Sequence, residues 1–204
     1  MRVKDIVLSL VSLALIGAGS ALIATFFLGP GTRGDSEPDG ARDFNVPILE
    51  ENTQATGKTS GPEDKTLTLT VPKMMRLADG TEVPSGQGDD EEKLKNYTAM
   101  HLEGTGFPWE AGANVYFAGH RLGYPGTPSF LAFYDLDKLE NGDEVIVTDA
   151  DGNEYTYRVF KSDSVGPTDL SVTEPVEGKD VLTLQTCTLP DYAQRLVVQA
   201  EKVA

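Results

Sequence analysis

Apolar and polar positions alternate with a period of two in several short runs of this chain, the signature of strands that turn one face to a core. Leu67-Thr-Leu-Thr-Val71 predicts the first strand, ended at an edge by Pro72. Residues 77–83 read as a tight hairpin around Asp79-Gly80, followed by a loop at 84–88. Residues 114–120 alternate again, residues 144–148 and 154–160 form a pair joined at Asp151-Gly152, and residues 181–187 and 195–203 are the last two. A different period holds elsewhere. Phe130, Phe133, Leu136 and Leu139 recur at roughly helical spacing, and residues 90–95, acidic then basic, read as a short helical turn on a solvated face. Residues 100–109 form a Gly-rich approach, and residues 165–179, with Pro167 and Pro175, a long loop. No internal repeat is present. Seven or eight short strands with little helix predict an all-β domain, a closed or nearly closed β-barrel, and argue against an α/β sheet.

The amino-terminal third follows another pattern. Residues 1–5 carry Arg2 and Lys4, and residues 6–28 run without a charge. At about 1.5 Å per residue a helix of that length spans a hydrocarbon core of about 30 Å. The flanking positive charges place residues 1–5 in the cytoplasm and everything after Leu28 outside. A cleaved secretory signal, with small residues at Ala18-Gly19-Ser20, is the competing reading, and the apolar run through Phe26, Phe27 and Leu28 is longer than such a signal needs. Either way the domain is exported. Residues 29–66 are rich in Gly, Pro, Asp, Glu, Ser and Thr and read as a flexible extracytoplasmic tether, leaving 67–204 as the folded domain. The Arg33-Gly34-Asp35 triplet within the tether is three common residues, not an adhesion signal.

Charge narrows the partners. Lys+Arg 17 against Asp+Glu 32 gives a net charge of -15, which argues against nucleic acid or an anionic lipid surface as a partner of the folded domain. One cysteine allows no internal disulfide. With that cysteine and two histidines far apart in sequence, no zinc-ligand spacing exists, and no cofactor is expected.

Reading the strand faces brings three reactive side chains together. In residues 114–120 Val115 and Phe117 define the core face, so His120 projects with Tyr116 to the other. In residues 181–187 Leu182 and Leu184 point to the core, while Thr183, Gln185 and Cys187 point away. In the last strand Leu196, Val198 and Ala200 face the core and Arg195 faces out. An antiparallel return after Cys187 brings Arg195 back beside it. A thiolate attacks acyl carbons, a histidine protonates a leaving amine, and a guanidinium holds a developing oxyanion. An adjacent cation also lowers a thiol pKa. Taken singly, each residue keeps a plainer reading: a buried thiol acting as a small hydrophobe, a hydrogen-bonded structural histidine, a surface ion pair. His101, between Met100 and Leu102, reads as structural.

Asn114-Val-Tyr-Phe-Ala-Gly-His-Arg121, then Thr183-Leu-Gln-Thr-Cys187, then Arg195-Leu196, in that order and spacing, resemble the sortase family. His101-x-x-x-Thr105 and Leu139-x-x-Gly-Asp143 resemble it too, and the resemblance covers residues 67–204. It implies a closed eight-stranded barrel and a membrane-anchored cysteine transpeptidase at a Gram-positive-type cell surface. Such an enzyme cuts a Leu-Pro-x-Thr-Gly or Leu-Ala-x-Thr-Gly sorting signal between Thr and Gly, holds the acyl group as a thioester and passes it to a cell-wall amine. Its partners are surface proteins bearing that signal and a peptidoglycan precursor or cross-bridge amine. Carried over by position, Cys187 is the nucleophile, His120 the general acid and Arg195 the oxyanion or substrate stabiliser. Thr186 is expected to add a hydrogen bond to the substrate carbonyl, and the substrate groove to lie against residues 165–179, with Val165 and Pro167 in contact. The amino-terminal anchor and the His101 region are most similar to the class D or E branch. Calcium binding, known in one branch, finds no assignable cluster in Glu103, Glu110 and Glu174. The rival from another class is a non-catalytic, membrane-tethered barrel acting as an adhesion or assembly module. An L,D-transpeptidase is set aside because its Ser-His-Gly-Cys context is absent.

Overall fold

The computed structural model describes residues 46–49 and 61–203. The membrane anchor expected at 6–28, the adhesion-like triplet and most of the tether lie outside the described residues. Among the described residues no helix is long and apolar enough to cross a membrane.

Nine strands form one sheet: β1 (Leu67–Thr70), β2 (Thr81–Val83), β3 (Ser85–Gly86), β4 (Met100–Leu102), β5 (Asn114–Ala118), β6 (Glu144–Asp149), β7 (Glu154–Val165), β8 (Val181–Cys187) and β9 (Arg195–Lys202). Their order is β2-β1-β6-β7-β9-β8-β5-β4-β3. The two ends of that order, β2 and β3, are separated in sequence by Pro84 alone. Proline has no N–H for a ladder, so the strand breaks there: its first half pairs with β1 and its second half with β4. The Pro84 carbonyl still accepts the His101 N–H at 2.9 Å. One kinked strand thus spans both edges, giving a nearly closed barrel. Counting it once recovers the expected eight.

The barrel interior is filled by Leu67, Leu69, Val115, Phe117, Val145, Val147, Leu182, Leu184 and Val198. Full burial of one such side chain contributes about 1.5–3 kcal/mol. A second apolar cluster lies on the opposite side of the β4–β5–β8 wall, where Met100, Leu102, Tyr116, Ala118 and Cys187 pack with Val46 and Leu94. Cys187 thus lies on the face away from the barrel core, as the alternation predicts, but that face is covered and both Cys187 and His120 are buried. Every residue of β5 and β8 is buried, as expected of a parallel pair covered on both faces. Val46 belongs to the segment read as tether.

Other departures have local causes. Val71, Met74 and Leu77 are all buried and linked by i to i+3 hydrogen bonds, so residues 71–80 form a wide connection of successive turns between β1 and β2 in place of a two-residue Asp79-Gly80 turn. Residues 130–139 form successive turns with a 3-10 helix at Leu136–Lys138, and Phe133, Leu136 and Leu139 are buried. A register shift between Val159 and Lys161 lets β7 continue to Val165 along β9, so the loop begins after Val165. The turn at 90–95 is a helix, α1 (Glu91–Asn96). Asp90 caps it by accepting the Lys93 N–H at 3.0 Å, and Leu94 joins the second cluster.

Candidate active site

Cys187 ends β8 and Arg195 begins β9, and the two are paired across the antiparallel ladder. Arg195 is also opposite Val165, the last residue of β7. Three adjacent strands therefore terminate at one level. His120 follows β5 by two residues. Ala118 is in register with Gln185, and Gly119 donates to the Gln185 carbonyl at 3.1 Å, so the chain carries His120 alongside the end of β8. The structure brings Cys187, His120 and Arg195 to the same end of the wall, and they are only 2%, 3% and 3% exposed.

The β8–β9 turn holds the arginine. Arg195 Nη1 donates to the carbonyls of Tyr192 at 3.0 Å and Gln194 at 3.2 Å. Thr188 closes that turn, its N–H donating to the Gln194 carbonyl at 3.0 Å while its hydroxyl accepts the Gln194 N–H. Burial raises the Tyr192 phenol pKa, and Cys187 beside it adds to the rise. Burial also drives the Tyr116 phenol far above its ordinary value, with the Arg195 charge acting against that rise. Tyr116, Tyr192, Cys187 and Arg195 thus share one electrostatic neighbourhood.

His120 meets Tyr124 edge-on, ring centroids 5.5 Å apart. Burial pulls its pKa down to about 4, which keeps the imidazole neutral near pH 7. Gly119 permits this placement, because a Cβ there would stand 2.5 Å from Phe133 Cδ1. Gly119→Ala is expected to cost about 1–3 kcal/mol by overpacking, read as a lower urea midpoint, together with a loss of activity from the displaced His120.

His101 lies apart from the site, in the barrel interior between Phe107 and Phe117. Its Nε2 is 3.0 Å from the Gly106 carbonyl, which only accepts, so Nε2 carries the proton and Nδ1 accepts from the Ser85 hydroxyl at 3.0 Å. The alternation of β8 places Thr186 on the interior face with Leu182 and Leu184. Its hydroxyl is buried there with no hydrogen-bond partner among the described residues. Val165 is half-buried opposite Arg195, and Pro167 is exposed in the turn beyond it.

Asn114 has a positioning role that strand pattern alone does not reveal. Its Nδ2 donates to the carbonyls of Val172 at 3.0 Å and Glu174 at 2.9 Å, and its Oδ1 accepts from the Thr183 hydroxyl at 2.8 Å. This ties the β7–β8 loop to the barrel and sets Val172 against the cluster containing Cys187. Asn114→Ala is expected to cost about 2 kcal/mol and to open residues 166–180 to limited proteolysis before the barrel unfolds.

Comparison with known proteins places the fold. Sortase A of Streptococcus agalactiae is 35% identical over 82 residues, 40% of this chain and 32% of that protein, so the aligned part spans about a third of the relative's length. The crystal structure of sortase C1 from Streptococcus agalactiae is 28% identical with a TM-score of 0.57, covering 84% of this chain and 79% of that one. The Clostridium perfringens sortase D5 transpeptidase is 25% identical with a TM-score of 0.57, covering 69% and 80%. A family model for the sortase domain matches residues 69–203. Because that match begins inside β1 and runs past the end of β9, it takes in nearly the whole barrel, with the strands bearing the cysteine and the arginine: the chain belongs to the sortase family.

Proposed function

We propose that this protein is a cysteine transpeptidase that cuts a Leu-Pro-x-Thr-Gly or Leu-Ala-x-Thr-Gly signal between Thr and Gly and transfers the carrier protein to a cell-wall amine. The observation that carries the reading is the Cys187–Arg195 ladder pair with His120 at the same strand ends. His120, held neutral by burial, takes the thiol proton. Cys187 Sγ then attacks the threonine carbonyl, and Arg195 stabilises the oxyanion. His120 returns its proton to the departing glycine amine, leaving a thioester on Cys187. An amine attacks that thioester, His120 accepts the proton released, and the thiolate departs and is reprotonated. No cofactor takes part. The acidic domain acts outside the cell, tethered through residues 6–28, on surface proteins bearing the signal and on a peptidoglycan precursor or cross-bridge amine. Branch membership in class D or E is part of the proposal, and the ratio of cleavage with Ala against Pro at the second signal position reads it.

The test is direct. The soluble domain is mixed with signal peptide and examined by mass spectrometry for an acyl adduct on Cys187, expected to convert to a peptide conjugate when triglycine is added. Free acid as the sole product would reassign the protein as a hydrolase, and intact peptide with no adduct would sink the reading. The rival, a non-catalytic adhesion module, predicts that surface proteins stay covalently attached to the wall in a strain whose only copy carries Cys187→Ala.

A further inference from the structure

Along the face of β8 that carries Cys187, the preceding residues are Thr183 and Gln185. Thr183 is already paired, its hydroxyl donating to Asn114 Oδ1 at 2.8 Å and lying 3.4 Å from Gln199 Nε2. Gln185 is different. It is 2% exposed, its Oε1 accepts from the Tyr116 hydroxyl, and its Nε2 is buried with no hydrogen-bond partner among the described residues. With the Tyr116 hydroxyl donating to Oε1, the carboxamide presents Nε2 as its unpaired end. An orphaned, oriented donor in a buried wall calls for a partner that the resting protein does not supply.

Position indicates what the partner is. Strands advance about 3.3 Å per residue, so Gln185 lies about 7 Å upstream of Cys187, the length of two residues of extended peptide. Upstream on β8 leads towards Asn114 and the loop it holds, where Val172 joins the apolar cluster. Carbonyls two residues apart in an extended peptide point the same way. A peptide that presents its scissile carbonyl to Arg195 therefore presents to the same side the carbonyl two residues before it. Across the β8–β9 ladder Gln185 is opposite Val197 and Cys187 opposite Arg195, which places the arginine two residues from the Tyr116–Gln185 pair.

We propose that Gln185 Nε2 donates to the main-chain carbonyl of the second residue of the sorting signal, with Tyr116 as the positioning residue that aims it. This rests on the transpeptidase reading and adds a substrate contact to it. The contact reads the backbone, so it serves Pro and Ala at that position alike, and it fixes the register of the acyl segment against Cys187.

Gln185→Met keeps the volume and removes the donor. With a Leu-Pro-x-Thr-Gly peptide it is expected to lower kcat/KM by about tenfold, the equivalent of one net hydrogen bond, mainly through KM. A peptide whose second-residue carbonyl is replaced by methylene should lose a similar factor with the wild-type protein and nothing further with Gln185→Met. Tyr116→Phe should lose less, and its loss should also shrink with the methylene peptide, a dependence that a merely structural tyrosine would not show. Should Gln185→Met lower the unfolding midpoint, Gln185→Glu, which retains an acceptor for Tyr116, carries the same comparison. Unchanged kcat/KM in the variant, or losses that multiply when variant and methylene peptide are combined, would overturn the contact and leave Nε2 to an ordered water. A wild-type protein inert towards both the Leu-Pro-x-Thr-Gly and the Leu-Ala-x-Thr-Gly peptide would overturn the transpeptidase reading, and this contact with it.

Discussion

Arg195→Lys is expected to lower kcat for acyl transfer by about 10²- to 10³-fold, the range for losing one fixed oxyanion donor, although the charge is kept. The reason is geometric. Arg195 is anchored through Nη1 to the carbonyls of Tyr192 and Gln194, and the guanidinium plane keeps further N–H groups in a set direction beside its ladder partner Cys187. A lysine at this position has one nitrogen to serve both tasks. Satisfying the turn carbonyls takes it away from the oxyanion, and reaching the oxyanion leaves those carbonyls unpaired. Single-turnover acylation, followed by mass, separates this effect from amine transfer. The urea midpoint checks that the turn has not unravelled, and the rate of Cys187 alkylation by a small neutral reagent checks that the thiol is still present and reachable. A loss below tenfold with both controls unchanged would remove Arg195 from the oxyanion role.

Much of this arrangement is legible in the sequence, and what escapes it does so for identifiable reasons. The alternation in residues 181–187 and 114–118 gives the correct faces because a period of two admits only two choices, and Leu182, Leu184, Val115 and Phe117 occupy one of them without exception. What the pattern misjudged is the nature of the other face. Asn114, Tyr116, Thr183 and Gln185 look like solvent-facing residues, yet they bond to one another across β5 and β8 and are covered by the second cluster. Mutual satisfaction of polar side chains cannot be seen from one strand at a time. Short β4 shows no period at three residues, and the end of β7, Lys161-Ser-Asp-Ser-Val165, is a polar, largely exposed ribbon with no apolar face to announce it. Pro84 reads as a loop marker, whereas here it divides a strand that closes the two edges of the sheet.

Acidification should destabilise the domain well before its carboxylates titrate. The chain has two histidines, both buried, and burial holds each pKa at about 4 against an ordinary 6.5. His101 is the cleaner case, because it lies away from the thiol. Its Nε2–H is committed to the Gly106 carbonyl, a bond that opposes the shift without overcoming burial. Between pH 6.5 and 4 the unfolded chain binds a proton at this position and the folded chain does not, so stability rises with pH through that window. The contribution is fully present above about pH 6.5 and is lost as pH falls towards 4. A displacement of that size corresponds to roughly 3 kcal/mol. The carboxylates whose pKa the fold lowers, Asp149 and Asp143 among them, act lower, because their unfolded value is 3.8. Urea unfolding at half-unit steps from pH 7 to 4 resolves the two windows. His101→Gln should be less stable at pH 7, having lost the fit to Ser85 and Gly106, but flatter between 6.5 and 4 than the wild type. A wild-type profile level over that range would mean that His101 is protonated inside the barrel, and its placement between Phe107 and Phe117 would have to be abandoned.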